Sequence, residues 1–275
     1  MRDCWSQDGG TVRVEWGPVG AASLVSYAAE RGPVVAVVVD VLSFTTAVSV
    51  AVDAGMTVWP YRWKDGSAPG FARQHDAVLA VGRRAAAEEA GVSLSPASIR
   101  AASGTVERLV LPSPNGSTIC ALLDDGGAVV AAGSLRNRRA VAAWVVRRLE
   151  ELAAAAGREG SVGDPAVVVV PAGERWPDGS LRPAAEDLWG AGAVVEAIVS
   201  RLEHRAGPML LSAESSVALA AWSRVQDGVL PALESCASGR ELVESGFGDD
   251  VRVAAELDTS ERVPVLDDGA FRPAG

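Results

Sequence analysis

The chain has 275 residues, 48% hydrophobic and 22% charged side chains, and a formal net charge of −10. That length and apolar content support one large α/β domain or two small ones with a real core, and argue against a disordered chain. The acidic balance argues against broad binding to nucleic acid or an anionic membrane, while a local basic pocket for a small anion stays open.

Cys4, Cys120 and Cys236 lie far apart and form no CxxC pair. This argues against a disulfide scaffold or a zinc knuckle and fits a reducing compartment. No leader pattern and no bilayer-length apolar run is present, so a cytoplasmic protein is expected. His75 and His204 are the only histidines, which leaves little for a His-based metal site or a Ser/His/Asp triad.

In chain order, a β-branched apolar run recurs. Each time it is followed by a polar or Gly-rich turn and an alanine-rich, apolar-periodic segment. This alternation signals βαβ units and a mostly parallel sheet. Residues 11–16 read as a strand and 21–30 as a helix. Val34–Val39 is apolar at every position, as expected of an internal strand covered on both faces. A helix follows from Ser43 through Ala54, with Gly55 as its stop. Residues 57–61, 77–81 and 108–111 read as further strands, the last leading through Pro112-Ser-Pro-Asn-Gly-Ser117 into a helix over 118–123. Residues 128–132 lead into Gly133-Ser-Leu-Arg-Asn137 and a long helix to about 155. Residues 165–171 precede a Gly/Pro/Arg loop and a helix over 184–203. The last quarter reads as helices near 213–226 and 239–244, then the segments 251–257 and 263–266. The expected architecture is a three-layer α/β/α domain with a mostly parallel central sheet. It spans residues 1–275, and the part from about 206 forms a subsidiary lobe.

In such a sheet, ligands bind beyond the carboxyl ends of the strands, where helix N-termini converge. Four strand ends are unusually polar. Asp40 precedes Ser43, Thr45 and Thr46. Its carboxylate suits Mg²⁺ or attack on phosphorus, and the hydroxyls suit an anion, although Asp40 and Ser43 also read as helix caps. Asn115-Gly116-Ser117 reads either as a ligand loop or as a plain turn capped by Ser117. Gly133-Ser134-Leu-Arg136-Asn137 adds an arginine suited to an anion, with Asn137 also a natural cap. Glu186-Asp187 opens a helix, where the dipole favours acidic residues; it also reads as a metal-binding or acid–base pair beside Asp40.

Taken together, these segments resemble the 2-phosphosulfolactate phosphatase family from about Val34 to Pro264. The resembling segments are Asp40-Val-Leu-Ser-Phe-Thr-Thr46, Val81-Gly-Arg-Arg84, Ser93-Leu-Ser-Pro96, Pro112-Ser-Pro-Asn-Gly-Ser117, Gly133-Ser-Leu-Arg-Asn137, Pro171-Ala-Gly173 and Ala185-Glu-Asp-Leu-Trp-Gly-Ala-Gly192. Ser238-Gly239, Gly246 and Asp249-Asp-Val251 also look alike. The resemblance implies Mg²⁺-dependent hydrolysis of a small anionic phosphate ester to give a sulfolactate, made on the way to coenzyme M or related sulfonates. The expected metal and catalytic residues are Asp40, Glu186 and Asp187. The expected substrate contacts are Ser43, Thr45, Thr46, Arg83, Arg84, Asn115, Gly116, Ser117, Ser134, Arg136 and Asn137. A homodimer is compatible with the resemblance.

The chain departs from the family pattern at two places. Ser43-Phe44 stands where Arg and a small residue are usual, and Gly82-Arg83-Arg84 where Gly-Glu-Arg is usual. With an arginine missing at 43 and an acidic group missing at 83, poor turnover of 2-phosphosulfolactate is expected, and a carboxylate-bearing phosphoester is expected to be preferred. The alternative is a family member that binds a small anion without turning it over.

Overall fold

The computed structural model describes residues 5–62, 66–89, 91–159, 164–202 and 211–275; Cys4 and His204 lie outside them, as do the end of the helix expected to reach residue 203 and the start of the expected lobe near 206. The chain opens with β1 (Val12–Val14), α1 (Gly17–Ala29), β2 (Val34–Val39), α2 (Phe44–Asp53) and β3 (Thr57–Tyr61). Three short helices, α3 (Ala68–Gln74), α4 (Arg83–Glu89) and α5 (Pro96–Ala101), flank β4 (Val78–Leu79). The alternation resumes with β5 (Arg108–Pro112), α6 (Gly116–Asp125), β6 (Val129–Gly133), α7 (Arg138–Glu159) and β7 (Ala166–Pro171). A small ribbon of β8 (Glu174–Arg175) and β9 (Leu181–Arg182) precedes α8 (Ala185–Leu202). Then come α9 (Ala213–Ser223), α10 (Val229–Ser235), α11 (Ala237–Glu244), α12 (Gly248–Ala254) and the hairpin β10 (Pro264–Asp267) to β11 (Ala270–Pro273).

Among the described residues the main sheet has nine strands in the order β1-β7-β2-β6-β10-β11-β3-β5-β4. Every pairing is parallel except those made by the β10–β11 hairpin, which runs antiparallel to β6 on one side and β3 on the other. β2 lies between β7 and β6, and its six residues are all buried. Its alternate side chains feed two separate cores. Val34, Ala36 and Val38 join α1, α2 and α6 on one face, and Val35, Val37 and Val39 join α7, α8 and α9 on the other. A continuous apolar strand is therefore the pattern this position requires. Among the described residues, no helix is long and apolar enough to cross a membrane.

The differences from the expected elements are local. Residues 251–257 belong mostly to helix α12, and the expected helix over 213–226 ends at Ser223 before a 3₁₀ turn. The short helices α3–α5 carry too few residues for a clear period. The hairpin did have a signal: Asp268 and Gly269 both take positive φ, 49° and 71°, as an Asp-Gly hairpin turn requires.

The layer of α8 on α9 depends on a glycine. A β-carbon at Gly192 would overlap the carbonyl of Ala218. Gly192→Ala is expected to cost roughly 1–3 kcal/mol by overpacking, read as a lower urea midpoint with an unchanged slope.

Candidate active site

The carboxyl end of β2 delivers Asp40, that of β5 delivers Asn115, and that of β7 delivers Glu174. A cavity of about 210 Å³ lies at this rim, and its walls include Asp40, Ser43, Phe44, Arg83, Asn115 and Glu174. Asp40 Oδ1 accepts the Phe44 N–H at 3.0 Å, so the first residue of α2 fixes the carboxylate. The Gly116 amide donates to the same carboxylate. A side chain at Gly116 would overlap the Phe44 ring, so glycine is what lets α6 approach this closely. Burial pushes the Asp40 carboxyl up to about 7; the two amide hydrogen bonds oppose this, and the charges of Glu174 and Glu186 add to it.

Asp187, at the start of α8, has a different task. Its Oδ1 accepts the Val41 N–H at 2.8 Å and its Oδ2 the Gly173 N–H at 2.9 Å. It thereby ties together the turns that follow β2 and β7. Burial first, then the charges of Asp40 and Glu186, hold its carboxyl well above the usual range. Glu186 is buried beside it. Glu174 is also raised, by burial and then by Glu186. It is oriented by Asn115, whose Nδ2 donates to Glu174 Oε2 at 3.0 Å, while Arg175 Nε donates to Asn115 Oδ1 at 3.0 Å.

The expected convergence holds for Asp40 and Asn115, with Glu186 and Asp187 packed behind, but not for Ser134. The Ser134 backbone N–H and hydroxyl both donate to Asn137 Oδ1, and Asn137 Nδ2 donates to the Ala132 carbonyl, so both residues are spent on shaping the loop after β6. Arg136 points along α2 instead of into the cavity. It pairs with Asp53 and Glu256 and donates to Ser49 Oγ. Thr45 and Thr46 are fully buried, and their hydroxyls donate to the carbonyls of Asp40 and Val41. Ser117 Oγ donates to the Leu111 carbonyl. These hydroxyls brace the strand ends and are not presented to a substrate. Arg84 is exposed and does not line the cavity.

Two contributors escaped the sequence reading. Glu174 opens β8, three residues beyond the end of β7, while the β2–β7 register puts Ala172 level with Asp40, so strand-end position was no signal for it. Asp250 lies in α12, within the Asp249-Asp-Val251 segment that resembles the family, but no role at the site was read from it. Arg83 Nε donates to Asp250 Oδ2 at 2.8 Å, and Arg83 Nη2 donates to Ser43 Oγ at 2.7 Å. A guanidinium therefore does reach position 43, but from α4. This removes the ground for expecting poor turnover of 2-phosphosulfolactate from the serine at 43.

The donors at this rim are carboxylate oxygens, the chemistry a hard divalent cation takes. Among the described residues, no three acidic, thiol or imidazole groups form a complete metal cage. One or two carboxylates, completed by waters and substrate phosphate, is the usual arrangement for Mg²⁺. The lifted carboxyls of Asp40 and Glu174 fit that pattern, because a cation would relieve their mutual repulsion. Asp187 fits less well, since backbone amides occupy both its oxygens.

A buried acidic centre at the carboxyl rim of a parallel sheet places the chain among α/β proteins with a ligand site in that crevice. More specifically, the family model described as 2-phosphosulpholactate phosphatase matches residues 23–269, and the chain belongs to that family. It is thus a phosphatase-like hydrolase of the 2-phosphosulfolactate phosphatase type.

The raised carboxyl of Asp40 has a consequence for stability. Unfolded, it releases its proton near pH 3.8; folded, near 7. The folded state therefore holds more protons between these values, and the contribution of Asp40 to stability is lost as pH rises through that window. In chelator-containing buffer, Asp40→Asn is expected to gain stability relative to wild type by roughly 2–4 kcal/mol between pH 4 and pH 8. Urea midpoints of both proteins across that range check it; parallel curves would count against a buried, raised carboxyl.

Proposed function

We propose that the protein hydrolyses a small anionic phosphate monoester in the rim cavity, with Mg²⁺ as cofactor and 2-phosphosulfolactate as the first substrate to try. The observation that carries this is the crowding of buried carboxylates around Asp40 within a phosphatase family. Hydrolysis adds a water oxygen to phosphorus and breaks the ester P–O bond; one proton passes from the water to the departing oxygen. Asp40 and Glu174 would hold Mg²⁺, which when bound neutralises charge on the phosphoryl oxygens. Phe44 and Gly116 N–H groups keep Asp40 aligned, and Asn115 keeps Glu174 turned to the cavity. Asp187 fixes the spacing of the two turns that carry these carboxylates. A small site on an acidic chain suits a compact metabolite and not a nucleic acid, and a cytoplasmic setting goes with that reading.

Phosphate release from 2-phosphosulfolactate is expected with Mg²⁺ and not with chelator, and Asp40→Asn is expected to lower it roughly 100-fold or more while the fold persists. Tight binding of the ester without phosphate release would instead support an anion-binding protein. Because Asp40 holds a proton below about pH 7, Mg²⁺ binding is expected to release a proton near pH 6 and to tighten as pH rises toward 7. Calorimetric titration in buffers of different ionisation heat reads that release; none at pH 6 would remove Asp40 from the metal site.

A further inference from the structure

Arg83 is the one cationic side chain among the described residues that line the cavity at the strand rim. Asp40 and Glu174, which line the same cavity, repel any negative charge that a bound cation does not neutralise. A substrate with a second anionic group, beyond the phosphate, therefore needs a positive partner away from those carboxylates. Resting on the hydrolytic reading above, we infer that Arg83 recognises this second, untransferred oxyanion and determines substrate specificity, with Asp250 as its positioning residue.

The guanidinium is held rather than free to swing. Its Nε donates to Asp250 Oδ2 at 2.8 Å and its Nη2 to Ser43 Oγ at 2.7 Å. Asp250 is itself fixed: its side chain is 1% exposed, and its Oδ1 accepts from Ser95 Oγ and from the Ala97 N–H. The Phe247 ring lies 5.7 Å from the guanidinium carbon. A guanidinium carries more donors than these contacts use, and the Arg83 side chain remains 20% exposed where it borders the cavity. An arginine serving only as a tie between α4 and α12 would have no reason to line the cavity beside Ser43.

The geometry suits a planar or trigonal oxyanion, a carboxylate or sulfonate, taken by paired N–H groups. The preferred substrate is then a compact phosphomonoester with such a group close to the ester carbon. A phosphomonoester of the same size with an uncharged group in that place is a poor one.

The test compares 2-phospholactate with isopropyl phosphate, which replaces the carboxylate by a methyl group. A charged hydrogen bond is worth roughly 1.5–3 kcal/mol, so wild type is expected to favour 2-phospholactate by about 10- to 100-fold in kcat/KM. Arg83→Gln is expected to bring that preference to within a few-fold, mainly through KM. Arg83→Lys, which keeps charge without the paired donors, should retain part of it, and Asp250→Asn should weaken it by letting the guanidinium move. An undiminished preference in Arg83→Gln, or in Arg83→Lys should the glutamine variant not fold, overturns the assignment. Equilibrium binding of 3-sulfolactate needs no turnover, and wild type should bind it about tenfold or more tighter than Arg83→Gln. If neither ester is hydrolysed but this difference stands, the hydrolytic reading fails while Arg83 keeps its role. Equal 3-sulfolactate binding by the two proteins removes that role.

Discussion

The double hydrogen bond from the Val41 and Gly173 amides to one carboxylate, Asp187, is the constraint on which the site geometry depends. These amides belong to the turns after β2 and β7, neighbours in the sheet but far apart in the chain. The Asp187 carboxylate sits at the start of α8, so one helix end sets the spacing of two strand ends. With that spacing held, Asp40 leaves β2 toward the N-terminus of α2, and Glu174 leaves β7 toward Asn115. Two amide donors on one side chain suit a join that must keep two turns in register.

The cost of this construction is crowded negative charge. Burial raises the carboxyls of Asp40, Glu174 and Asp187, and neighbouring acidic charges add to the effect. Without a cation the protein keeps protons on this cluster that a solvated carboxylate would have lost. Under the proposed Mg²⁺-assisted hydrolysis that imbalance would be used: the acidic centre would draw in the cation, and the cation the phosphate. The anchored arginine that lines the same cavity gives it a second, oppositely charged pole.

Much of the scaffold was legible because burial leaves a simple mark. A strand covered on both faces must be apolar throughout, and residues 34–39 show it; the acid that ends such a strand stands out against it. Asp40 and Asn115 followed from that logic, since parallel strands share one carboxyl rim. The hydroxyls did not. Residue type shows that Thr45, Thr46, Ser117 and Ser134 can hydrogen-bond, yet not whether they face a ligand or a nearby backbone group, and here they take backbone groups or, for Ser134, the neighbouring Asn137. Arg136 looked like an anion ligand for the same reason, because its partners Asp53 and Glu256 are remote in sequence. Arg83 shows the converse. Position by position, a missing arginine at 43 looked like a lost charge, whereas in space the charge arrives from another helix.

The β10–β11 hairpin has a bearing on how the molecule is made. It fills the middle of the sheet, between β6 and β3, and is built from residues 264–273. Without that hairpin, β1-β7-β2-β6 and β3-β5-β4 would be two half-sheets, each with an open edge where the other should join. Such edges are sticky templates for other chains. Sealing the central seam therefore depends on long-range closure, which is intrinsically slow.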